Sequence, residues 1–421
     1  MRSWLSHLRS YRAFAAALIL AIGVCQTVSS CADRASSDNH DPVPNSNINP
    51  NSGDDRGPVL LSFATVGDSR QDPTKPDPTT LPLSGQDSIW LQNTRAWSRI
   101  INSIDAQHPH FLFFNGDMIM GYAKADVPPV TSSVAAIVSS DLMQFYRQYA
   151  FWRGMVASLM EDSTYVIPVA GNHEVQCNQA VQSTCASGKH ALKVNEDAWR
   201  ANMGDLILDD QRFLNLFGEK ASDVNVSNNG PTDNLTTDQS KLSYSFDFRG
   251  SHFVVINTDP VGNDAHAPTN WLAADLRAAQ GRGAQHFFVF GHKPAYTYYF
   301  GPGNSLPASP SGLDGDTASR DAFWNVIEQY GAVYFCGHEH IFNMMQPRTA
   351  QGGKAWQILV GSGGSPFEAL PTDVTINPQT DRVYAWAIVQ VYKSGTVQIT
   401  AYGFDDQYGS TRVLQSVALP Q

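Results

Sequence analysis

The stretch "AVYFCGHEH", residues 332–340, runs five apolar residues into a glycine and then presents His338, Glu339 and His340. The five apolar residues favour a buried strand, and the two histidines, two apart, share one face of an extended exit from it. The same grammar recurs along the chain. "FATVGD" (63–68) ends on Gly67-Asp68, "FLFFNGD" (111–117) on Gly116-Asp117, "IPVAGNHE" (167–174) on Gly171-Asn172-His173-Glu174, and "FFVFGH" (287–292) on Gly291-His292. Glycine lets a chain turn sharply and expose the side chain that follows. In open α/β sheets, the carboxyl ends of strands are where ligands bind. Five predicted strand tips therefore deliver Asp68, Asp117, Asn172, His173, His292, His338 and His340 to one rim.

Each tip alone has an ordinary reading. A Gly-Asp is usually a turn, Asn172-His173 can be a helix cap beside a surface histidine, and His292 can be a satisfied strand-end residue. The ordered set, each member at the same kind of strand end, favours a shared role. Carboxylate, amide oxygen and imidazole without thiolate suit Fe, Mn or Zn. Two such ions about 3.5–4 Å apart can share a carboxylate and clamp both oxygens of an in-line displacement at phosphorus. The other histidines lack this context. His108 and His110 flank a proline, His252 sits in a Gly-Ser turn, and His190, His266 and His286 lie in polar surroundings, so these read as structural or solvent-facing.

The remaining β-rich runs are 244–248, 252–257, 356–360, 384–392 and 396–403, with helical patterns at about 87–106, 138–160, 270–280 and 317–330. Early strands alternate with helices and later ones cluster, which predicts a mixed α/β sandwich over a purely doubly wound sheet. Residues 223–240 read as a polar surface loop, and the segments 121–160 and 176–243 as insertions that wall the cleft.

The ordered series GDxx, GD, GNHE, GH and GHEH resembles the calcineurin-like metallophosphoesterase family over about Val59 to Gly403. The segments "YSFDFRGSHFVVINTD" (244–259) and "WLAADLRAA" (271–279) agree with it, and the tail, "GHEHIFNMMQP" (337–347) followed by "WQILVGSGGSP" (356–366), looks most like its purple-acid-phosphatase-like branch. The resemblance implies a four-layer α/β/β/α sandwich with two mixed β-sheets and the site at the strand tips. Carried over by position, it implies that Asp68, Asp117 and His340 hold one metal ion. Asp117, Asn172, His292 and His338 would hold a second, with Asp117 bridging. His173 matches the family's non-ligand histidine, which stabilises the transition state and helps protonate the leaving oxygen. Glu174 and Glu339 match variable positions and receive no role. The implied function is hydrolysis of phosphate esters by a metal-bound hydroxide at a binuclear centre. The adopted reading is a phosphomonoesterase acting on phosphorylated small molecules. The alternatives are a phosphodiesterase for nucleotides or lipid head groups, and a catalytically weak phospholigand-binding protein of the same fold.

Two positions depart from the family pattern. Many members have a histidine two residues after the first aspartate, and purple acid phosphatases usually a glycine; here it is Arg70. A guanidinium stays protonated and cannot bind a metal, but it offers a planar fork of donors to phosphate oxygens. The competing reading is an arginine paired for structure with a nearby carboxylate, Asp68 among them. Three residues past the bridging aspartate, the family has an aspartate that orients the catalytic histidine or a tyrosine that binds iron. Met120 stands there, and a thioether suits neither task.

With 421 residues, 42% hydrophobic, the chain can bury a large core. The net charge is −11, from 28 basic and 39 acidic residues without a Lys/Arg run, which argues against nucleic acid as a partner. A small anionic substrate then needs a local positive centre against the global field. Residues 1–31 read as a lipoprotein-type signal peptide: Arg2, Arg9 and Arg12, the apolar stretch Ala13 to Val24, then Val28-Ser29-Ser30-Cys31. Cleavage with a lipid on Cys31 gives membrane attachment, and simple cleavage is the alternative. Ala32 leans toward the outer membrane and a periplasmic or cell-envelope location. Residues 32–57 read as a disordered tether and 58–421 as the metallophosphoesterase domain. Cys177 and Cys185 are expected to close a small disulfide, and Cys336 to be a buried thiol.

Overall fold

A computed structural model describes residues 56–70, 94–226, 233–299, 310–370, 373 and 376–419. The segment expected to be a signal peptide, Cys31 included, and residues 32–55 of the expected tether lie outside the described residues. In chain order the strands are β1 (Val59–Val66), β2 (Phe111–Phe114), β3 (Tyr165–Pro168), β4 (Gln176–Asn178), β5 (Lys189–Ala191), β6 (Ser222–Asn225), β7 (Tyr244–Phe248) and β8 (Ser251–Val255). There follow β9 (His286–Phe290), β10 (Val333–Cys336), β11 (Phe342–Met345), β12 (Gln357–Val360), β13 (Tyr384–Tyr392), β14 (Val397–Phe404) and β15 (Arg412–Leu419). One sheet has the order β15-β14-β13-β1-β2-β3 and the other β11-β12-β10-β9-β8-β7-β6, while β4 and β5 form a separate hairpin.

Both large sheets are mixed. β1 runs parallel to β2, with Phe63 opposite Phe111, and antiparallel to β13, with Phe63 opposite Val389. In the other sheet β8, β9, β10 and β12 are successively parallel in space, and β11 and β7 turn back antiparallel. Strict period-2 alternation sorts the side chains. Phe63, Phe111, Phe113, Phe288, Phe290, Phe335 and Val360 fill the space between the sheets. Ala64, Val66, Leu112 and Phe114 face a helical layer on the first sheet; Phe287, Val289, Tyr334, Cys336 and Leu359 face another on the second. The Phe113 and Phe290 rings stack across the interface at 3.8 Å and 6°. Each fully buried phenylalanine contributes about 1.5–3 kcal/mol, so the two sheets are held face to face. This is the expected four-layer α/β/β/α sandwich.

The outer helices follow from helical periodicity. Thr94–Asp105 buries Ala96, Trp97, Ile100, Ile101 and Ile104 on one face. Thr317–Tyr330 starts where the Asp316 carboxylate accepts from Ala318 N and Ser319 N, and stops at Gly331 with φ 60°. The helical pattern over 138–160 breaks at Val156 into Asp141–Met155 and Ala157–Glu161. The pattern over 87–106 is seen from Thr94, and 87–93 lie outside the described residues.

Several elements escaped the sequence reading. Helices Lys193–Met203 and Asp210–Phe217 lie in the second insertion, the latter capped by Asp209 and closed by Gly218 at φ 71°. Tyr149, Trp152 and Trp199 from the two insertions are buried in the layer against the first sheet. Part of each insertion therefore forms core. Part of the expected loop 223–240 is edge strand β6, and β15 adds an unforeseen edge to the first sheet. His252 lies on β8, fully buried, with Nδ1 2.5 Å from Asp247 and Nε2 2.8 Å from Asp275. The Cys177–Cys185 disulfide and the buried Cys336 thiol are as expected. Among the described residues no helix is long and apolar enough to cross a membrane.

Backbone hydrogen bonds tie the strand tips together. Gly67 N donates to Val360 O and Gly363 N to Gly67 O, each at 2.8 Å, from one sheet to the other; Asp68 N donates to Gly116 O at 2.9 Å within the first sheet, and Gly337 N to His292 O at 2.9 Å within the second.

Candidate metal centre

At the tips it is often the polar residue after the glycine that takes the left-handed conformation. Asp68 has φ 62°, Asp117 55° and His338 75°. Asp and His are enriched among the non-glycine residues found there, and such backbones cluster at functional sites. The glycines at two of these tips serve another purpose. A Cβ on Gly337 would lie 2.2 Å from Asp68 Oδ2, and one on Gly171 would lie 2.4 Å from Asp117 Oδ1. Each clears room for a carboxylate from another strand tip, on the adjacent strand for Gly171 and on the facing sheet for Gly337.

Side-chain donors converge in two groups that share one residue. Ligand-type atoms of Asp117, His292 and His338 lie within 4.8 Å of one another, as do those of Asp68, Asp117 and His340. Asn172 Oδ1 joins the first group, 2.8 Å from both His292 Nε2 and His338 Nδ1. The six residues named from the strand tips as metal ligands are thus brought together, with Asp117 between the two sets.

The chemistry of these contacts fits cations. His292 Nδ1 lies 2.8 Å from Asn115 O, and His340 Nδ1 lies 2.7 Å from Pro366 O. A carbonyl only accepts, so each Nδ1 carries the hydrogen and the neutral ring turns its Nε2 lone pair inward. His292 Nε2 faces Asp117 Oδ1 at 3.2 Å and His340 Nε2 faces Asp68 Oδ1 at 3.6 Å. A lone pair aimed at a carboxylate is repelled unless a cation or a proton lies between them. Burial opposes charge on His292, yet Asp117 and then Asp68 outweigh it and push its pKa up to about 10. Burial likewise works against charge on Asp117, but His173, His292 and Arg70 hold its carboxyl well below the usual range. Asp68 is raised well above that range by burial, against the pull of His292. A thiolate-free set of two carboxylates, one amide oxygen and three imidazoles suits Fe, Mn or Zn.

His173 stands beside this set without joining it. Its Nε2 is 3.6 Å from Asp117 Oδ2, and its Nδ1 is 2.5 Å from Met120 O. Burial, opposed by Asp117 and reinforced by Arg70, holds its pKa well below the ordinary histidine value. The orienting group that the Met120 side chain cannot provide comes from the Met120 carbonyl. Arg70 is 7% exposed and folds toward the same carboxylate, with Nε 3.8 Å from Asp117 Oδ2 and Nη1 3.7 Å from Met120 Sδ.

Three residues of the site received no role in the sequence reading. Glu174 accepts from Gly171 N at 2.7 Å, Asp117 N and Met118 N at 2.9 Å each, and Ile119 N at 3.1 Å. It thus ties the tip of β3 to the tip of β2, and burial, reinforced by Asp117, pushes its pKa up to about 7. Glu339 accepts from Tyr298 N and Tyr299 N at 2.8 and 2.7 Å, and burial pushes it up to about 8. Tyr122, at φ 61°, lays its ring 3.6 Å from the His173 ring and brings its hydroxyl to Asn172 Nδ2. The four-residue helix Asn172–Val175 itself signals Glu174: glutamate three residues past the Gly171 cap is the capping-box spacing.

The family model for calcineurin-like phosphoesterase matches residues 38–342. A comparison with curated proteins returns no match. Among solved structures, a purple acid phosphatase, PPD1 from yellow lupin (Lupinus luteus) seeds, is similar at 12% identity and TM-score 0.50, over 86% of this chain and 54% of that one. A structure of PhoD is similar at 12% identity and TM-score 0.48, over 86% of this chain and 72% of that one. The chain thus spans about half the length of the lupin protein. That likeness concerns the fold.

Proposed function

This chain belongs to the calcineurin-like phosphoesterase family, and on that premise we propose that it is a metal-dependent hydrolase of phosphate esters, with phosphomonoesters as substrates. The observation that carries this reading is the sharing of Asp117 between two groups of donors, with His173 Nε2 3.6 Å from the same carboxylate. Asp68, Asp117 and His340 would hold one ion, and Asp117, Asn172, His292 and His338 a second. Bound there, two such ions would supply positive charge for the phosphoryl oxygens and acidify an attacking water.

The chain's own residues do the rest. Asp117 holds the two donor sets in register. The Met120 carbonyl fixes the Nδ1–H tautomer of His173 and directs Nε2 toward the cleft. A bound phosphate ester brings negative charge that raises the His173 pKa, as Asp117 does, so a proton becomes available for the leaving oxygen. Arg70 supplies a fixed cation beside the shared carboxylate and a planar fork for non-bridging phosphate oxygens.

The Cys177–Cys185 disulfide supports the accompanying proposal of export to an oxidising compartment, with cleavage before Cys31 and a lipid on that residue. The deciding experiment is metal analysis together with turnover of an aryl phosphomonoester and an aryl phosphodiester. Two equivalents of metal and faster monoester turnover are expected. Preference for the diester moves the substrate class, and metal without turnover of either ester replaces the hydrolase by a phospholigand binder.

A further inference from the structure

Directly after the helix that carries Asn172 and His173, the chain forms the β4–β5 hairpin, closed by the Cys177–Cys185 disulfide. The hairpin is fastened to Tyr122: Asn178 N donates to Tyr122 O at 3.0 Å, and Cys185 Sγ lies 3.7 Å from the same oxygen. Tyr122 N in turn donates to His173 O at 3.2 Å. In the register of the hairpin Lys189 pairs with Asn178, and its Nζ lies 5.1 Å from the centre of the Tyr122 ring. The Tyr122 ring thus has both the Lys189 ammonium and the His173 ring as neighbours, and its hydroxyl reaches Asn172 at the metal centre.

Lys189 has the features of a cation reserved for a ligand. It is an exposed residue, and among the described residues it forms no ion pair. The neighbouring lysine, Lys293, is committed to Asp259 at 2.7 Å. Partial enclosure of the Lys189 ammonium, with the nearby Lys293 charge, lowers its pKa from the ordinary value, while Asp117 pulls the other way. In a chain of net charge −11, such a centre is what an anionic substrate requires.

We propose that Lys189 is a substrate-binding residue, its ammonium donating to a non-bridging oxygen of the phosphoryl group held at the metal centre, and that the disulfide hairpin serves to place it. The proposal rests on the phosphoesterase reading above and deepens it. A phosphomonoester carries one more negative charge than a diester near neutral pH, so a further cation favours the monoester.

The test uses Lys189→Ala and Lys189→Arg in the full chain, with inorganic phosphate as the probe. Phosphate affinity is measured by calorimetry and as competitive inhibition, beside metal content and melting temperature. Lys189→Ala should weaken phosphate about tenfold, the lower end for a charge-assisted hydrogen bond at an exposed side chain. Metal content and melting temperature should stay at wild-type values, as expected for an exposed position. Lys189→Arg keeps the charge and should recover most of the affinity. kcat/KM should fall further for an aryl phosphomonoester than for an aryl phosphodiester. A Cys177→Ser, Cys185→Ser double variant should lose part of the same phosphate affinity with Lys189 intact. Unchanged phosphate affinity in Lys189→Ala at wild-type metal content overturns the proposal and leaves the phosphoesterase reading standing. Lys189-dependent phosphate binding by a wild-type protein that turns over neither ester supports the proposal and overturns the hydrolase reading.

Discussion

His173 Nδ1 lies 2.5 Å from the carbonyl oxygen of Met120. The residue at position 120 therefore orients this ring through its main chain, and its side chain is free to differ. Met120→Leu, close in volume and apolar, should keep turnover within a few-fold of wild type and leave the pH profile in place. His173→Ala should keep most of the metal and lose roughly 10²–10⁴ in turnover, the range usual for a general acid or base. The loss should shrink along a series of better leaving groups, which need little protonation. Equal losses across the series would remove the acid role and leave only charge stabilisation.

Asp117 is the residue common to both donor groups. Asp117→Asn should abolish turnover and lower the content of both metals, because an amide supplies no charge and bridges two cations poorly. Metal analysis by mass spectrometry after dialysis reads this directly. Full occupancy with a near-normal rate would refute the assignment of the site.

Arg70 lies along the shared carboxylate at 3.8 Å and is nearly enclosed. As a phosphate clamp, Arg70→Ala should weaken inorganic phosphate as a competitive inhibitor by about 1.5–3 kcal/mol, some ten- to hundredfold. Arg70→Lys should recover only part, since a point charge lacks the bidentate fork. A lowered melting temperature with phosphate inhibition untouched would make Arg70 a structural partner of Asp117.

His252 is buried between Asp247 and Asp275, far along the chain from the strand-tip motifs. Burial opposes its charge, but the two carboxylates overcome it and raise its pKa. A histidine whose folded pKa exceeds its unfolded value of about 6.5 adds stability below that value, lost as pH rises through the folded pKa. The stability difference between wild type and His252→Gln in urea should be largest below the ordinary histidine pKa of about 6.5 and shrink as pH rises above it. A difference independent of pH would mean that the ring is neutral in the folded protein.

The local signals for the sandwich lie in the chain itself. Leu61 and Phe63 alternate with Ala64 and Val66 across the first strand, and Phe288 and Phe290 with Phe287 and Val289 in the second sheet. Period 2 with both faces apolar means a strand covered on two sides, and this survives any tertiary context. Helix ends were partly legible for the same reason: Asp209 and Gly218 frame Asp210–Phe217 with ordinary cap residues, although that helix was not read.

Asp68, Asp117, Asn172, His292, His338 and His340 could be nominated from sequence because metal-ligating side chains are few and each follows a strand and a glycine. What only the tertiary structure decided is how they are held. Met120 O, Pro366 O and Asn115 O set three histidine tautomers, and a main-chain carbonyl belongs to every residue alike, so no letter announces it. Glu174 and Glu339 became structural because their carboxylates meet backbone N–H groups that the fold left without partners. Lys189 reaches Tyr122 only because a hairpin and a disulfide turn the chain back on the centre. Side-chain chemistry and strand period are local and readable along the chain; the placing of backbone donors, acceptors and charges around a site is a long-range outcome of packing, and it exists only once the sheets have come together.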